Sequence, residues 1–324
     1  MKVFKGKTLS QVFQENWIAL IPYIMFILLT VTMAVINSNT LSMRWLANKS
    51  DATFTLVLVA IGQTFVLLTG GFDLSVGGII CVTNCLTAAY MGQTTGGIIL
   101  WSVISLLVGI AIGTFNGYMI HKTKIQPFIV TLATQSICAG VALLILKIDG
   151  GNVSSDYIKA FLFRIGDIPV SMILIVVLIL LWLFIKRTNF GLAVYAIGSN
   201  EKAAHLNGIN VMKTKVIVYA ISGFFAAFSG LFRTAQVASG SPTAGLTFVM
   251  TSISAAVIGG TALTGGKGGV VGSIIGAFVI KSIADVLVFL EVSSYWSSLV
   301  QGVLLIIAVA ASAFGTLKKV GASA

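Results

Sequence analysis

Charged residues are scarce in this chain of 324 amino acids: they make up 9% of it, whereas hydrophobic residues make up 57%. A soluble domain carries charge on about a quarter of its residues, so the composition excludes a soluble globular protein. The uncharged runs are long and unbroken, whereas a membrane barrel shows strands of about ten residues with an alternating pattern. The composition therefore predicts an all-α polytopic membrane protein.

Acidic residues are scarcer still, since nine Asp and Glu stand against 20 Lys and Arg, for a formal net charge of +11. A charge of this size can indicate a nucleic-acid-binding protein. Here, however, the basic residues lie in short connections between apolar runs, as the positive-inside rule expects of cytoplasmic loops. We therefore expect contact with membrane lipid and not with nucleic acid.

Residues for catalysis or metal binding are also few. The chain has three cysteines, which fall in apolar runs and are predicted to be small packing residues: Cys81, Cys85 and Cys138. Its two histidines, His121 and His205, lie in predicted inner loops, and no Ser/His/Asp set or pair of carboxylates is visible. We expect neither an enzyme nor a metal site in this chain.

A phosphate-binding loop is missing as well, although the segment LTGGKGG resembles one. The Walker A motif requires G-x-x-x-x-G-K-[ST], in which the hydroxyl residue binds magnesium. Thr261 stands five residues before Gly266, and Gly268 follows Lys267, so neither the first glycine nor the hydroxyl is present. The chain is not expected to hydrolyse ATP.

What the chain does have is a series of apolar runs that are long enough to cross a membrane as helices. A polar connection, residues 37–51, is predicted to lie outside. Most of the 20 basic residues fall in inner segments if both termini are cytoplasmic, which ten spans allow. The predicted spans lie near residues 17–36, 52–72, 74–91, 98–120, 125–146, 168–185, 216–232, 248–264, 268–290 and 296–314.

One glycine-broken segment occurs twice. TGGFDLSVGGII (69–80) aligns with TGGKGGVVGSII (264–275) at a spacing of 195 residues, with seven of twelve positions identical. Glycine pairs loosen a helix and a lone carboxylate is costly in lipid, so the repetition suggests two related halves that meet around a polar path. The candidates for this path are Gly70, Gly71, Asp73, Gly265, Gly266 and Lys267. Either turn could be re-entrant, which would decide whether the repeat is parallel or inverted.

Asp73 itself has two possible roles. We favour a structural one, in which its carboxylate caps the helix that begins at Leu74, over sugar binding. A second charged pair, Lys281 and Asp285, is four residues apart, so the two side chains share a helix face and can neutralise one another. A role of that pair in the path is an equal alternative.

The connection at residues 188–215 is too polar for lipid, yet it contains helix-forming residues. Ser199 or Asn200 can cap a short helix and Gly208 can end it, so we predict a surface helix from Glu201 to Asn207.

Three segments together resemble the permease subunits of bacterial ABC sugar importers, and most closely the ribose-type family. They are TGGFDLSVGG (69–78), YAIGSNEKAAHLNGINV (195–211) and AAVIGGTALTGGKGG (255–269). The resemblance extends in the same order along nearly the whole chain. Phe72 stands where the family usually has Ile, an apolar exchange of little consequence.

The resemblance implies a multi-pass protein of the bacterial cytoplasmic (inner) membrane that forms a homodimer or heterodimer. It further implies a cytoplasmic ATP-binding subunit that holds ATP and magnesium, and a periplasmic or lipid-anchored sugar-binding protein. The segment 198–211 is similar to the helix that couples such permeases to the ATPase. Its candidate coupling residues are Gly198, Asn200, Glu201, Ala203, Ala204 and Gly208.

Within this helix, we expect Ala203 and Ala204 to lie flat against a groove of the ATPase and Glu201 to meet a basic group there. Two alternatives to a sugar permease remain. One is a secondary transporter in which Asp73 couples transport to protons or sodium. The other is a related importer for nucleosides or branched-chain amino acids.

Overall fold

The computed structural model describes residues 9–36 and 38–291, together with residues 296, 299, 300, 302, 303 and 306. The predicted tenth span, 296–314, therefore lies largely outside the described residues. The rest of the predicted helical class is confirmed, because the described chain is built from helices and one hairpin of two-residue strands.

Twelve α-helices are found within the described residues. The hairpin strands β1 (Arg164–Ile165) and β2 (Ile168–Pro169) pair in antiparallel fashion between the helices Ser155–Phe161 and Val170–Ile185. The helices are α1 (Leu9–Ile36), α2 (Met43–Leu68), α3 (Ser75–Tyr90), α4 (Thr95–Thr123), α5 (Pro127–Ile145), α6 (Ser155–Phe161), α7 (Val170–Ile185), α8 (Asn189–Ser199), α9 (Glu201–Leu206), α10 (Val211–Val237), α11 (Phe248–Ile258) and α12 (Val270–Phe289).

The predicted count of about ten spans is not confirmed. Five described helices (α2, α4, α5, α10 and α12) are long and apolar enough to cross a membrane, and α7 with α8 forms a sixth candidate that is bent by 77°. Residues 20–36, α3 and α11 are shorter apolar helices. The 16 residues of α3 rise about 24 Å, less than the hydrocarbon core of about 30 Å.

Several helix boundaries differ from the predicted runs. The helix α2 begins at Met43, inside the stretch predicted as an outer connection, because the Ser42 side chain accepts a hydrogen bond from the Trp45 N–H and caps its first turn. The helix α8 was not predicted, and Thr188 caps it in the same way. The helix α11 covers only the first part of the run 248–264, and the chain then turns through residues 259–269.

At the centre of the bundle, α10 packs against α2, α3 and α4. Its contact with α4 is close because Gly109 and Gly113 of α4 face Gly223 and the Tyr219 carbonyl of α10, where any Cβ would overlap with backbone atoms. Small residues permit such close helix contacts in membranes, where dispersion and not hydrophobic burial holds helices together. This packing places α2 and α3, and the turn between them, against the middle of the fold.

An irregular stretch, residues 239–247, packs along α3, with Gly240, Pro242 and Gly245 buried. Its backbone is satisfied by side chains of α3: the Ser241 N–H donates to Asn84 Oδ1 at 2.6 Å, and the Gly245 N–H donates to Cys81 Sγ at 3.2 Å. Within a membrane, non-helical backbone is tolerated only where it is buried in protein or lines a water-filled cavity.

Candidate functional site

The two duplicated glycine turns, far apart in sequence, meet in the structure. The Gly266 N–H donates to the Leu68 carbonyl at 2.9 Å, and a Cβ on Gly265 would lie 2.9 Å from Gly70 N. Gly70, Gly265 and Gly266 have φ values of 75°, 86° and 70°, the left-handed region that glycine enters at no steric cost. The two turns are thus in contact, while their origin in two related halves and the role of these residues in a transport path stay predictions.

The end of α8 enters the same contact. A Cβ on Gly198 would overlap with the Leu68 carbonyl oxygen and would lie 2.5 Å from Gly266 N, and a Cβ on Gly266 would lie 2.6 Å from Ser199 Oγ. We call this three-way contact the glycine junction; it comprises residues 68–71, 198–199 and 265–268. At Gly198 and Gly265 the three nearest neighbours of a Cβ would all be backbone atoms.

The predicted short surface helix is confirmed as α9, directly after the junction. Asn200 Oδ1 accepts a hydrogen bond from the Ala203 N–H at 3.0 Å and caps the helix. Gly208, with a φ of 83°, ends the turn beyond it. The cap and the terminating glycine are local features, which is why the sequence alone located this helix.

The expected docking face of α9 was wrong in one respect. Ala204 is buried and packs with Ile197 and Val211 in a small core, so it faces the protein and not a partner. Glu201 pairs with Lys215 of the same chain at 2.7 Å, but its side chain is still 44% exposed, so its contact with a basic group of the ATPase stays a prediction.

The exposed residues of α9 are Glu201, Lys202, Ala203, His205 and Leu206. Leu206 is 85% exposed and is the residue that sequence reasoning missed. The sequence signal that could have identified Leu206 is a large apolar side chain within an otherwise polar surface helix. The direction in which this side chain points, however, depends on how α9 packs.

Asp73 is completely buried and joins α3 to α10. Its Oδ1 accepts hydrogen bonds from the Ser75 N–H at 3.0 Å and from the Ser75 hydroxyl at 2.5 Å, and its Oδ2 accepts one from the Ser222 hydroxyl at 2.7 Å. The carboxylate thus accepts the first N–H of α3, as its structural interpretation requires, but from the residue before the N-cap Leu74, which itself makes no side-chain cap. The helix begins at Ser75, one residue later than predicted.

The polar contacts continue away from Asp73 to two further helices. Asn116 of α4 donates from Nδ2 to Ser75 Oγ at 2.9 Å, and its Oδ1 accepts from the Thr134 hydroxyl of α5 at 2.7 Å. We call Asp73, Ser75, Asn116, Thr134 and Ser222 the Asp73 network. Sequence reasoning missed four of its members, because isolated Ser, Thr and Asn residues are common in apolar runs.

The remaining two path candidates lie in different environments. Gly71 is buried under Tyr219, whose hydroxyl donates to the Phe72 carbonyl at 3.1 Å and would lie 2.7 Å from a Cβ on Gly71. Lys267, in contrast, is exposed. The charged residues of the two turns therefore differ in their surroundings: Asp73 is enclosed by protein, whereas Lys267 lies on the surface.

A second charged cluster lies where α2 and α12 meet. The predicted Lys281–Asp285 pair is present at 3.7 Å, and Lys49 Nζ lies 2.5 Å from the other oxygen of Asp285. Lys49 was expected in a polar connection; instead it is 5% exposed, because α2 begins earlier than predicted. Nearby on α2, Asp51 pairs with Arg164 at 2.9 Å.

The three cysteines have the packing role that the sequence predicted. Cys81, Cys85 and Cys138 are buried as free thiols in one apolar cluster.

Comparison with known proteins gives consistent matches over most of the chain. The family model described as the permease component of branched-chain amino acid transport systems matches residues 47–309. The ribose import permease of Haemophilus influenzae is 36% identical over 305 residues, 92% of this chain and 94% of the relative. The D-allose permease of Escherichia coli is 36% identical over 78% of both chains, and the xylose permease of H. influenzae is 31% identical over 89% and 94%. No solved structure matches the chain.

Proposed function

This chain belongs to the family of permease components of the branched-chain amino acid transport type. Within that family its relatives include ribose import permeases, and we propose that it forms the translocation path for a simple sugar. It is the permease component of an ABC importer and a multi-pass protein of the bacterial inner membrane. The observation that carries the choice of sugar is the set of relatives named for ribose, D-allose and xylose, which align over most of both chains.

The chain works with three kinds of partner in this proposal. A cytoplasmic ATP-binding subunit holds ATP and magnesium and docks on the exposed face of α9, while this chain itself binds no cofactor. A periplasmic or lipid-anchored binding protein delivers the sugar at the opposite end of the bundle. A second permease copy, identical or related, completes the path.

The exposed face of α9 suits an ATPase groove because Leu206 projects from it without a partner in the described part of the chain. A helix that docks in a groove relies on shape and on a few apolar anchors. Gly198, Asn200 and Gly208 fix the position of α9, Ala203 permits close approach, and Ala204 holds the helix to the protein.

The transport path itself passes close to the two broken segments, which include Gly70, Gly71, Gly265 and Gly266. Interrupted helices that turn polar backbone towards a solute are a recurrent device in transporters. Asp73 supports this region by holding the start of α3, and Lys267 marks its inner end. Ten spans with cytoplasmic termini are the topology that fits these positions.

The test is uptake by the whole importer, reconstituted with its ATPase and binding protein in lipid vesicles. Radiolabelled ribose is expected to accumulate only with ATP, and unlabelled D-allose or D-xylose to compete if the site accepts related sugars. Accumulation of leucine in place of ribose would support the branched-chain amino acid alternative, which the family description favours. Uptake that survives an inactive ATPase and is stopped by dissipating the proton or sodium gradient would instead establish a secondary transporter.

A further inference from the structure

The glycine junction joins three segments that belong to different parts of the fold. Gly265 is central to it: a Cβ there would lie 2.9 Å both from Gly70 N and from the Gly198 carbonyl oxygen. The Gly266 N–H to Leu68 carbonyl bond fastens the two turns together. The end of α8 therefore lies directly on both turns, and not on one of them alone.

Side chains hold α8 on the second turn from its other side. The Tyr195 hydroxyl donates to the Gly268 carbonyl at 2.7 Å. Trp182 of α7 covers Gly269, since its ring would lie 3.4 Å from a Cβ there, and it also packs edge-on against Phe65 of α2 at 5.3 Å. The junction is thus supported by α7 as well as by its own backbone contacts.

The position of the junction in the chain is as informative as its packing. Ser199 is followed directly by Asn200, the cap of α9, so no linker separates the junction from that helix. On the other side, Gly71 is followed two residues later by Asp73 and four residues later by Ser75, where α3 begins. Residues 265–269 lead directly into α12.

We propose that the glycine junction is the mechanical link of the importer, which moves both glycine turns together when α9 moves. Gly198 and Tyr195 are its positioning residues. The inference rests on the function proposed above, in which an ATPase displaces α9. It adds that α3 and α12 respond to the displacement as one unit.

The physical reason is the stiffness of the contact. Protein interiors are close-packed and transmit strain because they compress little. A contact between long side chains could absorb a displacement of α9 by rotamer changes, whereas backbone atoms in van der Waals contact have no such freedom. Replacing Gly198 with a residue that has a Cβ must separate α8 from Leu68 and introduce this freedom.

The experiment measures sugar transported per ATP hydrolysed, with the whole importer in lipid vesicles and ribose as the probe. Gly198→Ala is expected to lower this ratio at least tenfold, with normal abundance and normal stimulation of hydrolysis by the binding protein. Tyr195→Phe, which removes one hydrogen bond without a clash, is expected to lower it about twofold. The matched controls are Gly140→Ala, where a Cβ meets nothing within 4 Å, and Tyr118→Phe at an exposed tyrosine.

Loss of abundance in Gly198→Ala would indicate a folding defect, and Tyr195→Phe would then decide alone. In that case, an unchanged ratio of sugar transported to ATP hydrolysed in Tyr195→Phe overturns the proposal. If both variants have normal abundance, an unchanged ratio in both overturns it. If the wild-type importer neither hydrolyses ATP in response to the binding protein nor takes up ribose, the proposed function itself has failed. The two failures are thereby distinct.

Discussion

Asp73 shows how one residue can fix the start of a helix inside a bundle. Its carboxylate accepts three hydrogen bonds and through Ser75 and Asn116 joins α3, α4, α5 and α10. A buried polar network is stabilising only when its members are satisfied. The expected consequence is that removing the carboxylate affects folding before it affects transport.

Replacing Asp73 with Ala is expected to destabilise the protein, because the Ser75 N–H and the Ser222 hydroxyl lose their buried acceptor. Leaving such a group unsatisfied costs about 1–3 kcal/mol. Asp73→Asn should cost less, since it retains one acceptor oxygen. The measurement is thermal unfolding in detergent, with the exposed Asp149→Ala as control. Normal stability of Asp73→Ala would refute the capping role, and a stable Asp73→Asn without uptake would place the charge in the transport path.

Asp285 is the second residue whose surroundings give a prediction. It is the shared partner of Lys281 and of Lys49, which is 5% exposed. Removing one member of a fully buried pair leaves an uncompensated charge, at a cost of about 3–5 kcal/mol; the cost is smaller here, because the Asp285 side chain is 28% exposed. The pair of Lys159 and Asp156 is 79% and 75% exposed, where a salt bridge is worth about 0–1 kcal/mol. Asp285→Ala should thus lower the unfolding midpoint in detergent far more than Asp156→Ala, and equal effects would contradict the burial of Lys49.

At the scale of the elements, the two faces of α9 have different roles. Ala204 packs inward with Ile197 and Val211, whereas Leu206 projects outward. The inward face holds the helix to the glycine junction. The outward face is available to a partner.

The two faces are expected to respond differently to mutation. Leu206→Glu should leave abundance normal but reduce co-purification of the ATPase and stimulated hydrolysis, because it places a charge in an apolar contact. Ala204→Trp should instead lower abundance, because the small core has no room for an indole ring. Ile165→Glu, at a side chain that is 60% exposed in the hairpin, is the matched control. Full ATPase association in Leu206→Glu would assign docking to another surface.

On the scale of the whole molecule, the long helices arrange the connections in two groups. Gly117 near the end of α4 packs against Val216 near the start of α10, while Gly150 pairs with Gly240 close to the end of α3. The first group lies on the side of α9 and the glycine junction. The second lies on the side of α6 and the hairpin, so the two groups are expected on opposite faces of the membrane.

Cysteine labelling tests this arrangement directly. Lys159 and Lys202 are both exposed, and the native cysteines are buried. An impermeant thiol reagent should therefore label Lys159→Cys from the periplasmic side of intact cells, and Lys202→Cys only in inverted vesicles. Labelling of both positions from one side would rule out the proposed topology. Wild-type protein, with its buried thiols, provides the background.

The amino-acid sequence by itself determined the class of the protein, most of its helical runs, the repeated glycine turns and the position of α9. These are local properties: hydropathy over about twenty residues, and capping and terminating residues at fixed offsets. They need no knowledge of which helix packs against which.

Only the tertiary structure decided which residues meet. A membrane helix is apolar on all its faces, so the amphipathic pattern that reveals the buried side of a soluble helix is absent. Nothing local could therefore show that Asn116 and Ser222 converge on the start of α3, that Lys49 is enclosed, or that Ala204 faces inward. The glycine junction depends on backbone approach between segments up to about two hundred residues apart, which only the packing of the helices brings about.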